Sequence, residues 1–524
     1  LVIPSRDVFL HRTPAAIAAA ARPVEDRAAT AARDGIGEIE PTPIVDQLRE
    51  ELAATPAAAR EFSQYVTVTV PAGAGTERLT AAVQALLDTH DTLRMRLSVP
   101  APGLWSLETL PVGAVSAADT VTRVDVSGAD EDPLPAQLAA ARARLRPEDG
   151  LMVQAVLLDP GPDRPGRLLI VIHHLAVDGV SWRILLPDLE AAWNQLAQGR
   201  PVRLDPVATS YRGWAQALSQ ESRTARRAAE LAWWTAQSGA DEPLLGTRAT
   251  DPVLDTRATA GEVTVELSAE QTAELLTSVP AAFHAEVDEV LLTGLALAIA
   301  DRRRRHGAPA ARTVVELEGH GREPIPGEPD LSRTVGWFTS VYPVALDLGD
   351  LDHHEIADAG ESCGRALKRV KEQLRAIPGH GLGHGLLRHV NPQTARVLSR
   401  QTVPQIGFNY LGRFTAGTGK AWRMESGASG QSAHPDTPNV TPSRSSRSPR
   451  TAPGDRCSRR PGRTPAGCSR KRTSGNSPRA GSARCACSPH TPGARGRAVV
   501  PPPSSRWSPS ARTRSRPTSA RSRN

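Results

Sequence analysis

Leu168 to Ile172 reads Leu-Leu-Ile-Val-Ile, a largely β-branched run with no polar residue. Such a run is a strand buried on both faces, which requires a sheet covered on either side. The string HHLAVDGVSW follows from His173 to Trp182, and SWRILLPDLEAAWNQLAQG then carries apolar residues at helical spacing. Ser181 can cap that helix and Gly199 can end it. A buried strand, a polar turn and a helix in succession place the chain among α/β proteins. The two adjacent imidazoles make the strand's end the first place to look for chemistry.

The same alternation of elements recurs along the chain. FSQYVTVTV (62–70) alternates as a strand, and TERLTAAVQALLDTHDTLRMRL (76–97) predicts a helix with an extended end. TSYRGWAQAL and LAWWTAQ read as amphipathic helical pieces in a Thr/Pro/Asp-rich connection. A second series follows: a strand GEVTVELS (261–268), a buried helix over 286–305, and a strand ARTVVELEGHGRE (311–323) running into a Gly-rich turn. RTVGWFTSVYPVAL (333–346), the helix ESCGRALKRVKEQLRAIP and the strand PQIGFNYLGRF (404–414) complete it. The spacing predicts two successive α+β halves of similar size.

Beyond residue 415 the composition changes abruptly. Residues 416–524 hold 22 Lys and Arg against 3 Asp and Glu, which leaves 41 against 53 in the body. The net charge of +7 therefore hides an acidic body and a basic Ser/Arg/Pro-rich tail. That tail has too few aliphatic residues to order itself by burial. We read it as an out-of-frame translation of a high-GC gene, with a basic nucleic-acid-binding arm as the competing reading. Four of the five cysteines lie there, and the body's single thiol, Cys363, allows no disulfide framework, so a cytoplasmic setting is expected. No apolar run has the length of a membrane span. With no initiator Met, the chain is expected to be a piece of a longer product.

Adjacent side chains on a strand face opposite ways, so His173 and His174 do not share one tetrahedral metal, and no metal is expected. One imidazole should be an interior hydrogen-bonding group, and the other should face a cleft. Asp178 is expected to pair with an arginine and hold the turn; Arg322 and Arg94 are the candidates.

The string HHLAVDGVSW resembles the signature of the condensation-domain superfamily of nonribosomal peptide synthetases, and its Ser-Trp ending resembles the epimerization branch. HDTLRMRL (90–97), TSYRGWA (209–215), ELEGHGRE (316–323), RTVGWFTSVYPV (333–344), GLGHGLLR (381–388) and FNYLGRF (408–414) resemble further motifs of that branch in the expected order. Residues 1–22 resemble the last helices of a peptidyl carrier domain, and 23–36 read as a linker. GEIEPTPIVDQL (37–48) resembles the start of an epimerization domain. The resemblance implies a chloramphenicol-acetyltransferase-like pseudo-dimer, two lobes in a V with a tunnel between them. The lobes would cover 37–212 and 213–415, the second lacking part of its sheet.

The implied reaction is inversion, L to D, of an aminoacyl or peptidyl thioester. The thioester would be carried on the phosphopantetheine arm of an upstream carrier domain, with no cofactor bound directly. An upstream adenylation domain and a downstream condensation domain would be the other partners, with no membrane or nucleic acid. His174 matches the family's catalytic histidine. Glu318 is the candidate for the opposing acid/base, with Glu323 ranked second. Asn409, Tyr410, Trp337, Ser340 and Ser181 would line the tunnel, while His173, Asp178 and Arg322 would be structural. Two rivals are a condensation domain forming peptide bonds, and an inactive remnant whose tail binds nucleic acid.

Overall fold

The computed structural model describes residues 35–410 except 54, 102, 238–241 and 359. It also describes 412, 422–434, 437–438, the backbone of 443–447, and Ala15. The first half runs β1 (Gly37–Ile39), α1 (Pro43–Glu51), β2 (Ser63–Val70), α2 (Thr76–Thr89), β3 (Met95–Ala101), β4 (Leu104–Thr109), β5 (Val121–Asp125) and α3 (Leu134–Ala143). It continues with β6 (Val153–Asp159), β7 (Gly166–His173), α4 (Trp182–Ala197) and α5 (Tyr211–Ser222). The second half holds α6 (Val287–Arg305), β8 (Arg312–Gly319), β9 (Ser340–Asp347), α7 (Glu361–Arg375), β10 (Ile406–Tyr410), β11 (Met424–Ser432) and β12 (Ser443–Arg447).

The apolar run is the middle of β7, paired antiparallel with β2 on one side and β6 on the other. Its alternation sends Leu168, Ile170 and Ile172 into a large core shared with α2 and α4. Leu169 and Val171 enter a smaller cluster against α3. Burial on both faces explains why no polar residue interrupts the run. The sheet order is β11-β2-β7-β6-β5. In the second lobe an open sheet, β12-β10-β8-β9, packs Val315, Leu317, Tyr342 and Val344 against α6 and α7. The fold is thus mixed α/β with open sheets, two in the first half and one in the second.

Three features depart from the sequence reading. GEVTVELS forms no strand: Val263 and Val265 are 78% and 52% exposed, and no ladder partner exists among the described residues. Alternation makes a strand only where an edge accepts it. The 212/213 division falls inside α5, whose Tyr211, Trp214 and Leu218 belong to the first core. Finally, β11 lies beyond residue 415 yet pairs antiparallel with β2, Ser429 opposite Val66 and Ser432 opposite Ser63. Its sequence, MESGASGQS, has no apolar alternation; β2 offers a free edge, and backbone pairing supplies what composition does not show. The segment 1–22 (Ala15 apart) and residues beyond 447 lie outside the described residues. Among the described residues no helix is long and apolar enough to cross a membrane.

Candidate active site

The ladder ends with Ser63 opposite His173, after which the chain turns through His174–Ala176. His173 is fully buried. Its Nε2 donates to the Ala59 carbonyl at 2.7 Å, and its Nδ1 accepts from the Leu175 amide at 3.3 Å. Burial pushes its pKa down to about 4, against the opposing pull of the Ala59 bond, and neighbouring His174 adds to the depression. His173 is therefore a neutral post for the loop. His174 points elsewhere: it stacks on Phe62 with ring centroids 4.6 Å apart and 6° between planes, and it tilts against Trp337 at 4.7 Å. Its Nε2 lies 2.9 Å from Nε2 of Gln64, whose Oε1 accepts from the Trp182 indole N–H at 2.8 Å.

The remaining polar residues of the string tie the lobes together. Asp178 Oδ1 accepts from the Ser181 amide and hydroxyl, both at 2.8 Å, and Oδ2 accepts from the Phe338 amide at 3.2 Å. Arg322 reaches Asp178 at 3.3 Å, donates to the carbonyls of Thr334 and Leu331, and lies 3.7 Å over the Phe338 ring. Arg94, the other candidate, donates instead to the carbonyls of Leu87 and Leu110. Ser181 is a correction. It is fully buried, makes no side-chain cap, and its hydroxyl accepts from the Gly336 amide at 3.1 Å, so it lines no open passage. Removing Arg322 leaves a buried carboxylate short of its counter-charge. R322A should cost about 3–5 kcal/mol in urea unfolding. R322K should recover less than half, because an ammonium neither stacks on Phe338 nor spans three acceptors.

Glu318 lies near the end of β8. Strand alternation turns Val315 and Leu317 to the second core and Glu316 and Glu318 to the other face. Across the ladder Glu318 is opposite Val341, which packs on the first lobe's core. The parallel register of β10 sets Asn409 beside it, and the Asn409 amide donates to Glu318 Oε2 at 2.5 Å. Trp337, which touches His174, precedes β9 by three residues, so the imidazole and the carboxylate flank the start of one strand. Ser340 begins that strand with a buried hydroxyl that has no hydrogen-bond partner among the described residues. Tyr410 packs half-buried against the second core. Glu323 is engaged by His320 at 3.3 Å.

Gly321, in the same turn, has φ +67°, and a Cβ there would sit 1.6 Å from the Phe338 carbonyl oxygen. No side chain fits without moving the strand entry. G321A should lower unfolding free energy by about 2 kcal/mol or more in denaturant titration.

Gln64 escaped the sequence reading. It looks like one polar position in an alternating strand, 110 residues from His174, and only the β2–β7 register brings the two together.

A family model described as "Condensation domain" matches residues 56–439. The chain belongs to the condensation-domain family. It is 35% identical over 418 residues to a linear gramicidin synthase polypeptide of Brevibacillus parabrevis, covering 78% of this chain and 5% of that protein. It is 36% identical over 425 residues to chondramide synthase cmdD of Chondromyces crocatus, covering 80% and 10%. This condensation-family chain thus spans a small fraction of the relatives it matches. Among solved structures it is similar to the epimerization domain from the third module of tyrocidine synthetase B. That likeness has 27% identity and a TM-score of 0.65, and covers 79% of this chain and 89% of that one. The first condensation domain of the calcium-dependent antibiotic synthetase shares the fold at 18% identity and a TM-score of 0.55, covering 78% and 86%.

Proposed function

We propose that this condensation-family domain inverts the α-carbon of an aminoacyl or peptidyl thioester, L to D, while a carrier domain's phosphopantetheine arm holds the substrate. The observation that carries the reading is the Glu318 carboxylate, gripped by Asn409 on the sheet face turned from its own core. A peptide-bond-forming enzyme has no use for a second acid/base there. The likeness to an epimerization domain adds support. Condensation is the competing reading, favoured by the description of the matching family model.

The pantetheine thioester acidifies the Cα–H; the chain's own groups do the rest. His174 takes or returns a proton on one face of Cα, and Glu318 does so on the other. Asn409 holds the Glu318 carboxylate toward its proton position. The aromatic walls, Phe62 and Trp337, keep the imidazole in one plane and exclude water, which strengthens each charge interaction at the site.

A carrier loaded with an L-aminoacyl thioester, incubated with the chain in D₂O, tests the reading. Deuterium at Cα with mixed chirality is the expected result. Absence of exchange, with peptide bond formation when a second loaded carrier is added, favours condensation.

A further inference from the structure

We infer that Gln64 and Trp182 form a relay that keeps the His174 proton on Nδ1 and presents Nε2 as the proton-accepting atom. Its consequence for turnover rests on His174 being a proton carrier; the tautomer itself does not. An indole nitrogen only donates, so the Gln64 atom 2.8 Å from Trp182 Nε1 is the amide oxygen. The amide NH₂ then faces His174 Nε2 at 2.9 Å, and since NH₂ only donates, the ring nitrogen it meets carries a lone pair. Flipping the amide would set NH₂ against the indole N–H, two donors face to face in a part-buried site. Trp182 therefore fixes Gln64, and Gln64 fixes His174. Ring rotation is blocked by the near-parallel Phe62 stack and by Trp337.

The device suits a group that must both take and return a proton. A hydrogen bond donated to the neutral ring favours that neutral form. Substrate Cα–H reaches Nε2 by displacing the Gln64 N–H. The amide, tethered to Trp182, retakes its place once the proton has left. The Trp of the Ser-Trp ending thus has a chemical use as the anchor of the relay, two steps from the reacting atom.

The test uses the full chain with ring-¹⁵N histidine at about pH 8, where an ordinary imidazole is neutral. The His174 signals are assigned by difference against H174A. Wild type should show protonated Nδ1 and unprotonated Nε2. In Q64E the carboxylate only accepts, so the tautomer should invert to Nε2–H, and Cα deuterium exchange should fall about 10²-fold, with little change in KM, for the enantiomer that loses exchange in H174A. W182F, which frees the amide to flip, should give both tautomers. Native His173 signals certify folding in each variant. Nε2–H in the wild type, or one tautomer shared by wild type and a folded Q64E, overturns the relay. If Q64E does not fold, W182F decides, and a single Nδ1–H form there overturns it. Undiminished exchange from both enantiomers in H174A would sink the catalytic reading while leaving the tautomer assignment standing.

Discussion

Replacing His174 by alanine or Glu318 by glutamine should slow inversion of a carrier-bound aminoacyl thioester by about 10²–10⁴-fold each, the usual worth of a positioned acid/base. The stronger expectation concerns which half of the reaction survives. With two carriers on opposite faces, each can remove a proton and return deuterium on its own side without inverting the centre. H174A should therefore wash deuterium into one enantiomer with its configuration retained, and E318Q should do so only with the other. Chiral analysis of the thioester after D₂O incubation reads both. Loss of exchange from both enantiomers in H174A, with E318Q indistinguishable from wild type, would assign both proton transfers to one base and remove Glu318 from the mechanism. N409A should resemble a mild E318Q, because the carboxylate keeps its chemistry and loses its aim.

Acid should unfold the protein early, and two histidines, one fully buried and one partly buried, are the reason. Burial holds His173 down to about 4. It holds His384 down to about 3, with the Val341 bond opposing and His389 and Arg388 adding to the depression. Both ionise more readily unfolded, from an ordinary value of 6.5, so the unfolded state binds more protons as pH falls through that value. Their stabilisation is complete above about pH 6.5 and is lost as pH falls toward the folded values. At 1.36 kcal/mol per unit the losses are about 3 kcal/mol for His173 and about 5 for His384. Between about pH 5.5 and 4.5 unfolding free energy should drop by about 2.5 kcal/mol. Urea titrations across that window check it. H173Q and H384N keep the donor to Ala59 and to Val341 respectively without a titrating ring, and each should halve the slope. A slope unchanged in both variants would overturn the attribution. Glu50 acts in the same direction at lower pH: burial would raise it, but His389 and Arg388 hold it down to about 2.

The candidate site residues were legible as candidates because motif type and order in the chain carry the family resemblance. Two histidines after an apolar strand draw attention locally, whereas the carboxylate at a Gly-rich strand end and Asn-Tyr on a later strand stand out only through the family their strings resemble. Contacts between distant segments did not. Arg322 and Arg94 are equal candidates in the sequence, and packing over Phe338 separates them. Ser181 looks like a helix cap until Gly336 of the other lobe takes its hydroxyl. β11 has no apolar pattern because its pairing is made by backbone groups, which every residue but proline supplies in full.

By itself, the sequence determined the α/β class and the buried β7, since each depends on periodicity within one element, and it nominated His174 and Glu318 through the family their strings resemble. Only the tertiary structure decided which partner each polar group meets: Gln64 for His174, Arg322 for Asp178, Asn409 for Glu318. The physical reason is that hydrogen bonds and ion pairs act over a few ångströms. Strand register and lobe packing, which set those distances, depend on burial summed over residues far apart in the chain.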